Sequence, residues 1–139
     1  MKHIVNGLAL VLIIGCLTPP QSYAGDEVQD ARVKQGKLWY DKYCTPCHGP
    51  GGAPGSAVFP TTKKPIDLRT ISERNGGEFP SMKWWELIFS SHPSGVHGKA
   101  WERVRSDQTE TGEGARDMAA HSVVANIERY VESIQKKNK

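Results

Sequence analysis

The chain has 139 residues, of which 37% are hydrophobic and 24% charged, with a formal net charge of +3. That leaves room for one domain and not comfortably for two, is an ordinary balance for a globular protein, and lacks the concentrated basic face of a nucleic-acid binder. Fourteen Gly and nine Pro, most of them between residues 46 and 98, point to a loop-rich middle.

The first 24 residues read as an export signal. Lys2 and His3 open the chain, Ile4 to Leu17 is mostly apolar, and Pro19-Pro20 break the segment. Ser22-Tyr23-Ala24 then offers small residues at the two positions a signal peptidase reads. The apolar run is shorter than the ~20 residues that span a bilayer, which argues against a retained anchor. Residues 25–139 would form the mature, periplasmic domain. Ile13-Ile14-Gly15-Cys16 also resembles a lipoprotein signal occupying residues 1–15. By that route Cys16 becomes a lipidated first residue and the protein is membrane-anchored. Cleavage after Ala24 removes one basic residue, Lys2, and no acidic one, so the net charge falls from +3 to +2.

Residues 25–43 are predicted to form the first helix, with Asp26 as its N-cap. Val28, Ala31, Val33, Gly36, Trp39, Tyr40 and Tyr43 make a broad apolar stripe. Gly36 within it costs about 1 kcal/mol relative to Ala, a cost that a second helix crossing closely there would explain. Residues 49–65 are too rich in Gly and Pro for a long helix or a central strand. A helical turn is expected over Ile66 to Ser72, a turn at Asn75-Gly76-Gly77, and a helix from Pro80 to Ser90. Residues 103–117 are strongly polar and read as an exposed loop. The last helix carries Ala120, Val123, Val124, Ile127, Tyr130, Val131 and Ile134 on one face. No strand-like alternation stands out, so the fold class is all-α.

The chemical signal is Cys44-Thr45-Pro46-Cys47-His48. Two thiols at this spacing can add to the two vinyl groups of one haem, and the adjacent His can supply an imidazole to the iron. The competing readings are a chance match, a zinc site and a thioredoxin-like dithiol. Zinc needs two further ligands, and no second Cys pair exists. The dithiol lacks a surrounding βαβ pattern.

With Gly36 and Tyr40 before this motif, Gly49 after it, a Gly/Pro-rich loop and a closing helix containing Tyr130, the mature chain resembles the class I c-type cytochromes of bacteria. The stretch from Asp67 to Pro80 is similar to a subgroup of them. The resemblance implies a small cytochrome c-like fold whose N- and C-terminal helices cross at Gly36, with Tyr40, Ile127 and Tyr130 around the crossing. It implies one covalent haem c, attached at Cys44 and Cys47, with His48 as the proximal iron ligand. It also places Pro60 where the family has a Pro carbonyl accepting the second N–H of the proximal His; a simple loop-stiffening role is the other reading of Pro60. The function implied is that of a periplasmic electron carrier rather than an enzyme, serving a dehydrogenase, reductase or oxidase. A gas-binding haem protein with an open distal site and a haem subunit of a larger oxidoreductase are the alternatives.

The sixth iron ligand departs from the family pattern. The family supplies a Met from the loop between the last two helices, and residues 91–117 contain none. His97-Gly98 matches a His-Gly pair that the subgroup has close before its Met, which makes His97 the leading candidate. Met118 is the main alternative, followed by an open site and by Met82, His92 and His121. Trp39, Trp84, Trp85 and Trp101 are expected to wall a haem crevice or to pack between helices.

The processing expectation is checked by the intact mass of the exported protein. A mature chain beginning at Gly25 is expected, and a lipidated species beginning at Cys16 would overturn it.

Overall fold

A computed structural model of the chain describes residues 22–54, 66–89 and 95–136. The expected signal segment up to residue 21, Cys16 within it, Pro60 and His92 lie outside the described residues. Among the described residues every regular element is helical: α1 (Ser22–Tyr43), α2 (Thr45–His48), α3 (Ser81–Phe89), α4 (Val96–Ser106) and α5 (Glu113–Ser133). Single 3-10 turns occupy Pro50–Gly52, Leu68–Thr70 and Glu73–Asn75. The all-α expectation holds for this part of the chain.

Helix α1 starts at Ser22, so Asp26 sits inside the helix and is not its N-cap. Its apolar stripe is buried only toward the C-terminal end. Val28 is 51% exposed, whereas Tyr40 and Tyr43 are in the core. The reason is the packing partner. Helix α5 runs against the second half of α1 and buries Ala120, Val123, Val124, Ile127, Tyr130 and Val131 there. The two backbones meet at Gly36. A β-carbon at this position would fall on the carbonyl oxygen of Asn126 and within 3.0 Å of Tyr130 Cβ. The glycine is therefore a condition of the packing, and its intrinsic cost to the helix is offset by the contact it permits.

Tyr40 continues this contact one turn further on. It is fully buried, its ring centroid lies 5.1 Å from that of Tyr130, and its hydroxyl donates to the Gly49 carbonyl at 2.9 Å. The chain thus leaves α1, makes the short turn of α2, and is pinned back onto α1 immediately afterwards.

The expected loop at 103–117 is a correction. Helix α4 runs to Ser106 and α5 begins at Glu113, leaving only Asp107 to Gly112 as a connection. The polar residues there are ion-paired across the two helices. The Arg105 guanidinium contacts the carboxylates of Asp117 and Glu113, the latter at 2.6 Å. Helix α4 also carries His97, Ala100, Trp101 and Val104 toward an apolar cleft, an i, i+3, i+4, i+7 pattern flanked by Arg105. The expected helix over 80–90 appears as α3, and the turn expected at 66–72 appears as the paired 3-10 turns.

The residues just after α5 clamp these turns. Gln135 accepts from the Ser72 N–H at 2.9 Å and donates to the Leu68 carbonyl at 2.8 Å, and the Lys136 N–H donates to the Arg69 carbonyl at 2.8 Å. Asp67 accepts from the Arg69 backbone N–H at 3.0 Å and from its guanidinium at 2.9 and 2.8 Å. The Arg69 guanidinium holds the Asp67 carboxyl well below the usual carboxylate range, with Lys136 adding a smaller pull in the same direction.

Two outcomes follow from this packing. Gly36→Ala should destabilise the folded protein by about 2–3 kcal/mol through overpacking, lowering the thermal midpoint by roughly 10 °C; an unchanged midpoint would mean that α1 and α5 do not meet there. Asp67 binds its proton at lower pH in the folded chain than in the unfolded one. Its stabilisation is therefore complete above about pH 4 and is lost as the pH falls below that. Denaturation of wild type and Asp67→Asn should differ by about 1 kcal/mol at neutral pH, and the difference should shrink as the pH is lowered from about 4 toward 2.

Candidate functional site

The Cys44–His48 segment is a single tight turn grown from the end of α1. The Cys44 N–H donates to the Tyr40 carbonyl at 2.8 Å, and the N–H groups of Cys47 and His48 donate to the Cys44 carbonyl at 3.0 and 2.8 Å. Gly49 ends the turn with φ 72°, a conformation that favours glycine. Both cysteines are free thiols. They project from one turn, with His48 beside them.

An apolar cleft adjoins this turn. Its walls come from Tyr43 and Cys44, from Trp84 and Ile88 of α3, from His97, Ala100, Trp101 and Val104 of α4, and from Val124 and Ile127 of α5. About 360 Å³ of empty space lies between them, part of it open to solvent. Trp84 and Trp101 thus wall the cleft as expected. The other two tryptophans do not: Trp39 stacks on Tyr43 at 6.0 Å, and Trp85 on Phe89 at 5.1 Å.

Burial dominates the electrostatics of the site. It pushes the Cys44 thiol up to about 12, with Cys47 adding to the effect. Burial raises Cys47 as well, while the Arg103 charge pulls the other way. His48 is lowered by burial and then by His97, with the Ile66 backbone opposing; His97 is lowered by burial alone. Both imidazoles are therefore held neutral at pH 7, with a ring-nitrogen lone pair available to a metal.

The two rings lie parallel to one another at the site. His48 and His97 lie with ring centroids 6.2 Å apart and planes within 6° of parallel. His48 Nδ1 is buried and has no hydrogen-bond partner among the described residues. The Trp84 Nε1 and the Thr45 hydroxyl are also buried without a partner there.

The remaining candidate ligands are placed elsewhere. Met118 is 74% exposed and Met82 83% exposed, and neither lines the cleft. His121 stacks on Phe89 at 4.5 Å and meets Trp101 edge-on at 5.1 Å, and its Nδ1 lies 2.7 Å from the Asp117 carbonyl.

Among the described residues no group of three or more His, Cys, Asp or Glu side chains could hold a metal ion. The donor set is two imidazoles, with two thiols to one side. That set fits a haem, whose porphyrin supplies the other four nitrogens to the iron and whose vinyl groups would take the thiols. Two Cys and two His would be enough donors for a structural zinc, but among the described residues no three of them are gathered around one point as a tetrahedral site needs.

Sequence reasoning missed Ala100 and Val104, because the polar residues between them hid a helical spacing. It also missed the tie between α1 and α4. Asp107 accepts from the Tyr43 hydroxyl at 3.0 Å and pairs with Lys42 at 3.0 Å. Nothing short of the fold relates residues so far apart in the chain. No protein-family model matches this chain, and neither do any curated protein or solved structure.

Proposed function

We propose that this chain is a monohaem c-type cytochrome of the class I kind, an exported electron-transfer protein that works in the periplasm. The observation that carries this reading is the Cys44–His48 turn set at the edge of an apolar cleft, with Cys44 in the wall of that cleft. Cys44 and Cys47 would hold haem c through thioethers, and His48 would be an axial iron ligand. When bound, haem supplies a one-electron ferric/ferrous couple.

The side chains do the rest. Trp84, Ile88, Trp101, Val124 and Ile127 offer the porphyrin apolar contact and keep water from it. The N–H to carbonyl bonds of the turn hold His48 in one orientation relative to both thiols. The Tyr40 hydrogen bond to Gly49 keeps the turn from unwinding away from α1. Arg103 puts positive charge near Cys47, which suits brief encounters with redox partner proteins.

A catalytic dithiol is disfavoured by the same burial. Reactive Cys-x-x-Cys pairs depend on a thiol whose pKa is depressed, and here burial pushes both thiols up.

Protein matured with a c-type haem assembly system should carry the mass of one haem and retain it through acid–organic extraction. Cys44→Ser and Cys47→Ser should each leave at most one linkage. Haem that extracts freely from the parent protein would sink the covalent reading.

A further inference from the structure

Among the described residues one imidazole, that of His97, lines the cleft beside His48, and its setting is unusual. His97 sits in the first turn of α4, the helix that also provides Ala100, Trp101 and Val104 to the cleft. Its ring is parallel to that of His48 within 6°, with centroids 6.2 Å apart. Direct face-to-face contact would bring the rings to about 3.5–4.0 Å. Two imidazoles bound to one metal through bonds of about 2.0–2.1 Å, with roughly 1.1 Å more from each nitrogen to its ring centre, have centroids a little over 6 Å apart. The observed spacing is that of a pair with one metal ion between them.

On the haem reading above, we propose that His97 is the second axial ligand of the iron, and that α4 holds it in place in both oxidation states. The helix is anchored at its far end on two sides. Asp107 binds the Tyr43 hydroxyl and the Lys42 ammonium, one residue before Cys44 and two. Arg105 is held by Asp117 and by Glu113 of α5. The ligand therefore rides on the same frame as the covalent attachment turn. Met82 and Met118 are exposed, and His121 is held in its own aromatic cluster, so among the described residues no other thioether or imidazole lines the cleft. Two nitrogen ligands give a lower potential than a nitrogen and a thioether, and an iron with both axial positions filled leaves none for a gas.

The test uses the full-length haem-loaded protein, checked first for haem that survives acid–organic extraction. The parent should be low-spin in both oxidation states, show no far-red sulfur-to-iron band, and give no spectral shift with carbon monoxide. Near-parallel rings further predict a rhombic ferric resonance signal, in contrast to the large-g signal of crossed rings. His97→Ala should become high-spin, bind carbon monoxide, and return to low spin on addition of imidazole. His97→Met should instead gain the sulfur-to-iron band and a raised midpoint potential. Should His97→Ala fail to fold, the parent spectra and His97→Met still decide the matter. A parent that binds carbon monoxide readily, a parent sulfur-to-iron band lost in Met118→Ala, or a His97→Ala variant that stays low-spin would each overturn His97 while leaving the cytochrome reading intact. Loss of haem on extraction of the parent would overturn the cytochrome reading itself.

Discussion

Helices α1 and α5 approach at Gly36 so closely that no side chain fits between their backbones, and the position of everything else follows from that approach. One turn beyond it, Tyr40 is sealed against Tyr130 and reaches the Gly49 carbonyl. One turn beyond that, α1 ends and the Cys44–His48 turn begins. A rigid α1–α5 pair thus serves as a ruler. It sets the depth at which the two thiols and the His48 ring emerge, and it leaves Val124 and Ile127 of α5 facing the same space. A small side chain at residue 36 is felt at the site because the intervening contacts are packed without slack.

The second wall is built on this frame by charge as much as by apolar packing. Helix α4 contributes four residues to the cleft, yet most of its other positions are polar. Its orientation is secured by Arg105 against α5 and by Asp107 against the end of α1. Single exposed ion pairs contribute little stability. Here two sets of them converge on one short helix, and their effect is on where His97 points rather than on how firmly the whole protein folds. Arg105 carries the larger share, because its side chain is the less exposed of the two.

The cleft combines low polarity with two neutral imidazoles, and the two features depend on one another. Burial keeps His48 and His97 unprotonated and the Cys44 thiol protonated. Among the described residues the cleft thus presents neutral imidazoles and a protonated thiol in an apolar setting. Among the described residues Nε1 of Trp84 and Nδ1 of His48 have no partner, and bare apolar walls would not explain such polar atoms.

Much of this was legible in the residues themselves. Local covalent spacing carries the Cys44–His48 reading, since two thiols and an imidazole within five residues are brought together by any tight turn. Periodicity carries α5, and the cost of a glycine inside a helix announces the contact at Gly36. The start of α1, the existence of α4 and the tie from Tyr43 to Asp107 were not legible. Helix α4 looks like a polar loop because Arg105 finds its partners on α5 and Asp107, just past its end, finds Lys42 and Tyr43 on α1, and a one-dimensional pattern does not show which charges will be neutralised by distant ones. The facing of His48 and His97 has the same character. Forty-nine positions separate them, and only the packing of α4 against the α1–α5 pair brings the two rings parallel across one gap.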